Sequence, residues 1–125
     1  PEFVPLVEAG ITSGPEAQAA VERHATPIRA LGIDTVVLGC THYPYLSEVL
    51  HQAFGDGVTL VDPAEELAIA LKQLLDARNL HRDTTEMPTH RYLVSGEPEP
   101  FLETARRLLG REITVEKVDI FNGES

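Results

Sequence analysis

Apolar and polar positions along this chain follow two rhythms, short β-branched runs and longer stretches with a helical repeat. Their alternation, strand then helix, predicts an α/β fold of largely parallel sheets flanked by helices. Residues 3–7 read as a short strand. Gly14-Pro15 then opens a helical stretch with Ala17, Ala20, Val21 and His24 on one face. Pro27 lies inside that stretch, where a missing N–H and a ring clash predict a kink or a restart. Residues 34–38 read as a strand buried on both faces, and 44–54 as a helix with Leu46, Val49, Leu50 and Phe54 inward.

Gly55-Asp56-Gly57 turns the chain into a strand over 58–61. Asp62-Pro63-Ala64-Glu65 then has the form of a helix start, with Asp62 as cap, Pro at the first position and Glu at the third. Leu67, Ala70, Leu71, Leu74 and Leu75 follow at the spacing of a core-facing stripe. Residues 78–89 are polar and irregular and read as a surface loop. A strand over 90–94, a helix over 98–109 with Phe101, Leu102, Ala105, Leu108 and Leu109 inward, and a strand over 112–118 complete the pattern. The tail from Asn122 to Ser125 is expected to fray.

Composition narrows the function classes. With 125 residues, 42% hydrophobic and 24% charged, the chain has the make-up of an ordinary soluble globular protein of about one domain. It holds no apolar run of the ~18 residues that a membrane span needs. The formal net charge of −10, with basic residues scattered except at Arg106-Arg107, argues against a nucleic-acid surface. One cysteine cannot form an internal disulfide, which fits a reducing, cytoplasmic setting. The start at Pro1-Glu2-Phe3, without methionine or lead-in, reads as a piece of something longer.

That cysteine is the main chemical signal. Cys40 ends the apolar run Thr35-Val36-Val37-Leu38 in the turn Gly39-Cys40-Thr41-His42-Tyr43-Pro44. Free cysteine is commonly just core packing, but these neighbours point elsewhere. Gly39 allows a tight or left-handed backbone and close approach of a ligand. Thr41 offers a hydroxyl, His42 can tune the thiol toward thiolate, and Pro44 at a helix start is expected to leave anion-attracting amides free. A thiol beside a histidine and an anion site suits attack on an acyl carbon or proton transfer at carbon.

The block Leu38-Gly39-Cys40-Thr41-His42-Tyr43-Pro44 closely resembles the second catalytic-cysteine motif of the bacterial glutamate racemases. Phe3-Val4-Pro5-Leu6-Val7-Glu8, Val61-Asp62-Pro63-Ala64 and Arg91-Tyr92-Leu93-Val94-Ser95-Gly96 fit other parts of that family's C-terminal half. Aspartate racemases of the same superfamily tend to carry Glu at the position of His42. The resemblance implies a cofactor-independent isomerase interconverting L- and D-glutamate for peptidoglycan, with two cysteines on opposite faces of the substrate α-carbon. It assigns Cys40 as one acid/base residue, His42 as its assistant and Glu8 as an active-site acid, and it gives Thr41 and Gly39 substrate contacts. It further implies two α/β domains, residues 1–62 belonging to the second and 63–125 returning to complete the first. The partners implied are the missing N-terminal half and, as in some relatives, a second copy in a homodimer, with neither nucleic acid nor membrane.

Racemisation requires bases of similar strength on both faces, and this chain has one cysteine. The 125 residues alone are therefore expected to be inactive. The alternatives are another amino-acid racemase of the superfamily, a thiol hydrolase or acyltransferase using Cys40, and a non-catalytic binding module. His24, His51, His81 and His90 show no metal-ligand spacing, so no metal is expected. Asp62 reads as a helix cap rather than a catalytic acid, and Tyr43 and Tyr45 as packing or cleft residues.

Overall fold

The structure is a computed structural model that describes residues 2–120. It divides into two compact units, Pro1–Asp83 and Thr84–Ser125. In the first, the elements run α1 (Phe3–Glu8), α2 (Gly14–Arg29), β1 (Thr35–Val37), a 3₁₀ turn (Tyr43–Leu46), α3 (Ser47–Phe54), β2 (Thr59–Val61) and α4 (Pro63–Ala77). In the second they are β3 (Tyr92–Val94), α5 (Pro98–Leu109) and β4 (Val115–Lys117). The expected fraying of residues 122–125 lies outside the described residues.

Residues 3–7, expected as a strand, are helical. Pro5 sits in the first turn, where its missing N–H costs no helical bond, and side-chain packing overrides the β-branched composition. Phe3 packs edge-on against His24 and Tyr43, with ring centroids 5.2 and 5.3 Å away. Glu2 is bonded to Arg23 and His24 of α2, and Val7 is buried. The segment is thereby clamped onto α2 and the 3₁₀ turn as a short helix.

Helix α2 runs unbroken to Arg29 with Pro27 in its last turn, so the chain does not restart there. Its buried face is Ala17, Ala20, Val21 and Ala25, and His24 lies outside it, bonded to Glu2. These small residues let α3 approach closely and bury Val49, Leu50, Ala53 and Phe54 together with Leu46. Arg29 reaches across to the carbonyl of Ala53 in the last turn of α3.

Strands β1 and β2 pair in parallel, Thr35 with Thr59, Val36 with Leu60 and Val37 with Val61. The expectation that the first is buried on both faces fails: Val37 is 61% exposed. A two-stranded sheet has helices enough to cover only part of its surface. Strands β3 and β4 form a second parallel pair, Tyr92 with Val115 and Val94 with Lys117. Helix α5 spans the residues expected, but only Ala105 is buried, while Phe101 and Leu109 are exposed.

Helix α4 starts where expected, with Asp62 Oδ1 accepting from the Ala64 N–H at 2.9 Å. Its apolar stripe is nevertheless uncovered. No residue of the helix is buried, and Leu67 and Leu71 are 69% and 52% exposed. The stripe has the periodicity of a core face without a core against it. No helix among the described residues is long and apolar enough to cross a membrane.

Candidate active site

Past the end of β1 the chain turns tightly. The Gly39 N–H donates to the Val37 carbonyl and the Cys40 N–H to the Leu38 carbonyl, each at 2.9 Å, two successive three-residue turns. They swing Cys40 out of line with the strand and leave its side chain half-buried. Gly39 makes this turn without a positive φ. A Cβ placed there meets nothing within 4 Å, so neither strain nor crowding demands glycine. Of the two backbones expected of it, tight or left-handed, Gly39 adopts the tight one.

Pro44 also departs from expectation. It lies in the 3₁₀ turn rather than opening an α-helix, and α3 begins at Ser47. The Tyr43 N–H donates to the Cys40 carbonyl at 3.1 Å and the Tyr45 N–H to the His42 carbonyl at 3.2 Å. These amides serve the turn itself and are not available to an anion.

The 3₁₀ turn and α1 bring together the side chains singled out in the sequence. His42 Nδ1 lies 3.9 Å from Cys40 Sγ and 3.4 Å from Thr41 Oγ1. On the other side of the ring, His42 Nε2 lies 3.3 Å from Glu8 Oε1, although 34 positions separate the two residues. A carboxylate at Nε2 favours a proton on that nitrogen and leaves Nδ1 as the acceptor facing the thiol. Cys40, His42 and Glu8 thus form a line from thiol through imidazole to carboxylate, in which the imidazole can take or return a proton at sulfur. The clamp of Phe3 and Glu2 on α2 and the turn sets the position of α1, and with it Glu8.

A cavity of about 410 Å³ opens on this turn. It is lined by Leu38, Gly39, Cys40, Thr41 and Pro44, which follow β1, and by Asp62, Pro63 and Ala64, which follow β2. His42 and Glu8 stand behind the thiol rather than among the lining residues. Asp62 is the member that its reading as a cap left out. Its signal was topological: parallel pairing places the residues after Val37 and Val61 at the same edge, beyond the carboxyl ends of the strands, where open α/β sheets bind ligands. Among the described residues no group of three or more His, Cys, Asp or Glu side chains is arranged to hold a metal.

No family model matches the chain. Individual proteins do. The glutamate racemase of Beutenbergia cavernae is 43% identical over 90% of this chain and 42% of its own length. That of Parafrankia is 45% identical over 91% of this chain and again 42% of its own. Among solved structures, a glutamate racemase isoform from Bacillus anthracis superposes with a TM-score of 0.82 at 32% identity, over 96% of this chain and 45% of that one. The Francisella tularensis enzyme, solved in complex with D-glutamate, gives 0.82 at 29% identity over 94% and 44%. This chain spans under half the length of each of these relatives. By sequence and by fold alike, it is homologous to one portion of the glutamate racemases.

Proposed function

We propose that this chain is the C-terminal half of a glutamate racemase and supplies one of its two catalytic thiols. The carrying observation is the half-buried Cys40 on a cavity wall, with the His42 imidazole 3.9 Å from its sulfur and Glu8 behind that ring. In this reading Cys40 Sγ, as thiolate, takes the α-proton from one face of glutamate: the C–H bond breaks and an S–H bond forms. A second thiol, on the missing half, gives its proton to the opposite face, inverting the centre. His42 returns Cys40 to the thiolate state, Glu8 holds the ring in the required tautomer, and Gly39 and Thr41 contact the substrate. No redox step occurs and no cofactor is called for.

Residues 1–62 then complete one α/β domain, and 63–125 return to the other. The uncovered stripe of α4 supports this, because relatives more than twice as long have further chain to lay against it. The enzyme works in the cytoplasm, as a homodimer, and its D-glutamate goes to peptidoglycan. The test is exchange of the glutamate α-proton in D₂O. The 125 residues alone are expected to show none, and the full-length protein to show it until Cys40→Ala removes it. Enzyme-like exchange by this piece alone, or by the full-length Cys40→Ala variant, would overturn the proposal.

The thiol–imidazole–carboxylate line also has the layout of a nucleophile, its base and an orienting acid, which favours a thiol acyltransferase as the second reading. A covalent acyl group trapped on Cys40 by an activated ester, without α-proton exchange in the full-length protein, would establish it instead.

A further inference from the structure

We infer that Phe3 is a positioning residue of the Cys40 site, its ring setting the spacing between the Glu8 carboxylate and the His42 imidazole; this rests on the racemase reading proposed above. Phe3, Glu8 and His42 are all absent from the residues lining the Cys40 cavity. The role is therefore one of geometry behind the thiol and not of contact with substrate.

Glu8 and His42 belong to different elements. Glu8 ends α1, and His42 immediately precedes the 3₁₀ turn. The contact between them, His42 Nε2 to Glu8 Oε1 at 3.3 Å, is long for a hydrogen bond to a carboxylate. A helix of six residues has little stability of its own, and the Glu8 side chain is 52% exposed. The position of its carboxylate thus follows from what anchors α1.

Phe3, at the other end of α1, is the anchor that grips the Cys40 turn. Its ring meets that of Tyr43, the residue after His42, edge-on at 5.3 Å, and that of His24 in α2 at 5.2 Å. The Tyr43 N–H in turn donates to the Cys40 carbonyl at 3.1 Å. Helix α1 therefore touches the region that carries the sulfur and the imidazole at both of its ends, Phe3 on Tyr43 and Glu8 on His42. Glu2 pairs instead with Arg23 and His24 of α2 through solvent-exposed side chains, where ion pairs hold weakly. Val7 is buried, but apolar burial is non-directional, whereas an edge-on ring pair prefers one geometry. The Phe3–Tyr43 pair is what sets the tilt of α1 against the turn.

Leucine at position 3 keeps the apolar character and the helix propensity but loses the ring edge. With α1 free to tilt, a shift of about 1 Å at its far end breaks a contact already 3.3 Å long, and misplacement on that scale slows catalysis by about 10–100-fold.

The test is glutamate α-proton exchange in D₂O by the full-length protein, with kcat and KM measured separately. Phe3→Leu is expected to lower kcat about tenfold and to leave KM within about twofold, the pattern of an interaction that matters only in the transition state. Phe3→Tyr, which keeps the ring, is expected to retain most of kcat. Glu8→Ala is expected to lower kcat at least as much as Phe3→Leu. Added to Glu8→Ala, Phe3→Leu is expected to cost less than about a further twofold, because its effect runs through Glu8.

An unchanged kcat in Phe3→Leu overturns the inference. So does a loss that recurs in full on top of Glu8→Ala, since Phe3 would then act on general stability, and so does a Phe3→Tyr variant as slow as Phe3→Leu. These outcomes leave the racemase reading standing. A Glu8→Ala variant with undiminished kcat removes the carboxylate from the mechanism and the role of Phe3 with it, while absence of exchange by the unmodified protein sinks the racemase reading itself. Should Phe3→Leu not fold, Tyr43→Leu removes the same ring pair from the other side, and its combination with Glu8→Ala decides by the same outcomes.

Discussion

Helices α3 and α4 carry the same kind of apolar stripe, and the structure treats them oppositely. α3 buries Val49, Leu50, Ala53 and Phe54, whereas α4, nearly twice as long, buries nothing. The difference lies in what stands opposite. α2 offers α3 a face of Ala17, Ala20, Val21 and Ala25, small enough for close approach, while among the described residues no element buries any residue of α4. Periodicity states that a helix has a face to cover. It does not state that the covering element lies within the same 125 residues.

The widest separation is expected from leucine truncation in the core at the head of α3 and on the stripe of α4. Leu46, fully buried where the 3₁₀ turn meets α3, is expected to cost about 2–5 kcal/mol as Leu46→Ala, through lost burial plus the cavity left behind. Leu71→Ala, at a position 52% exposed, is expected to stay within about 0.5 kcal/mol. Urea unfolding of this chain reads both. A Leu71→Ala cost above about 2 kcal/mol would mean that the stripe is covered in solution. If the proposed reading holds and further chain packs on α4 in the full-length protein, the two costs are expected to converge there.

Glycine substitutions give a second, smaller contrast at the two ends of the α3 region. Gly55 ends α3 at φ 79°, ψ 171°, a conformation L side chains rarely adopt. Gly55→Ala is therefore expected to cost about 1–3 kcal/mol from backbone strain, and to lower the thermal midpoint of this chain. Gly39→Ala needs no such backbone change and meets open space, so its midpoint is expected to stay close to that of the unmodified chain. Equal losses at both glycines would show that the Cys40 turn is more constrained than its dihedral angles indicate.

Much of this was legible before any coordinates. The strands within 34–38, 58–61, 90–94 and 112–118, the cap at Asp62 and the span of α5 all follow from local chemistry, because caps, turns and short apolar runs act over a few residues. What was illegible depended on distant partners. Phe3 to Val7 has strand-like composition, yet ring contacts with His24 and Tyr43 fold it as helix. The same docking brings Glu8 to His42 across 34 positions, which spacing could not reveal. At Pro27 a kink or a restart was expected, and α2 does not restart but continues through the proline to Arg29. Asp62 combined a cap with a place on the cavity wall, and the more familiar role hid the other.

The smallest effect expected is of acid on the clamp that seats α1, in which no residue of the α4 stripe takes part. Hydrogen bonds from Arg23 first and His24 second hold the Glu2 carboxyl below its ordinary range. A carboxyl depressed in the folded state contributes stability that is fully present above its unfolded pKa and is lost as pH falls through the folded one. The thermal midpoint is therefore expected to fall modestly on acidification from about pH 5, and Glu2→Gln to flatten that part of the slope. Glu116, held down in the same way by Arg91 in the second unit, provides the control: Glu116→Gln is expected to remove a separate share of the slope. Acid protonates neither leucine, so the gap between Leu46→Ala and Leu71→Ala is expected to persist unchanged across this range. A gap that closes at pH 4 would show that the α2–α3 core depends on the Glu2 clamp, and that burial alone does not separate the two helices.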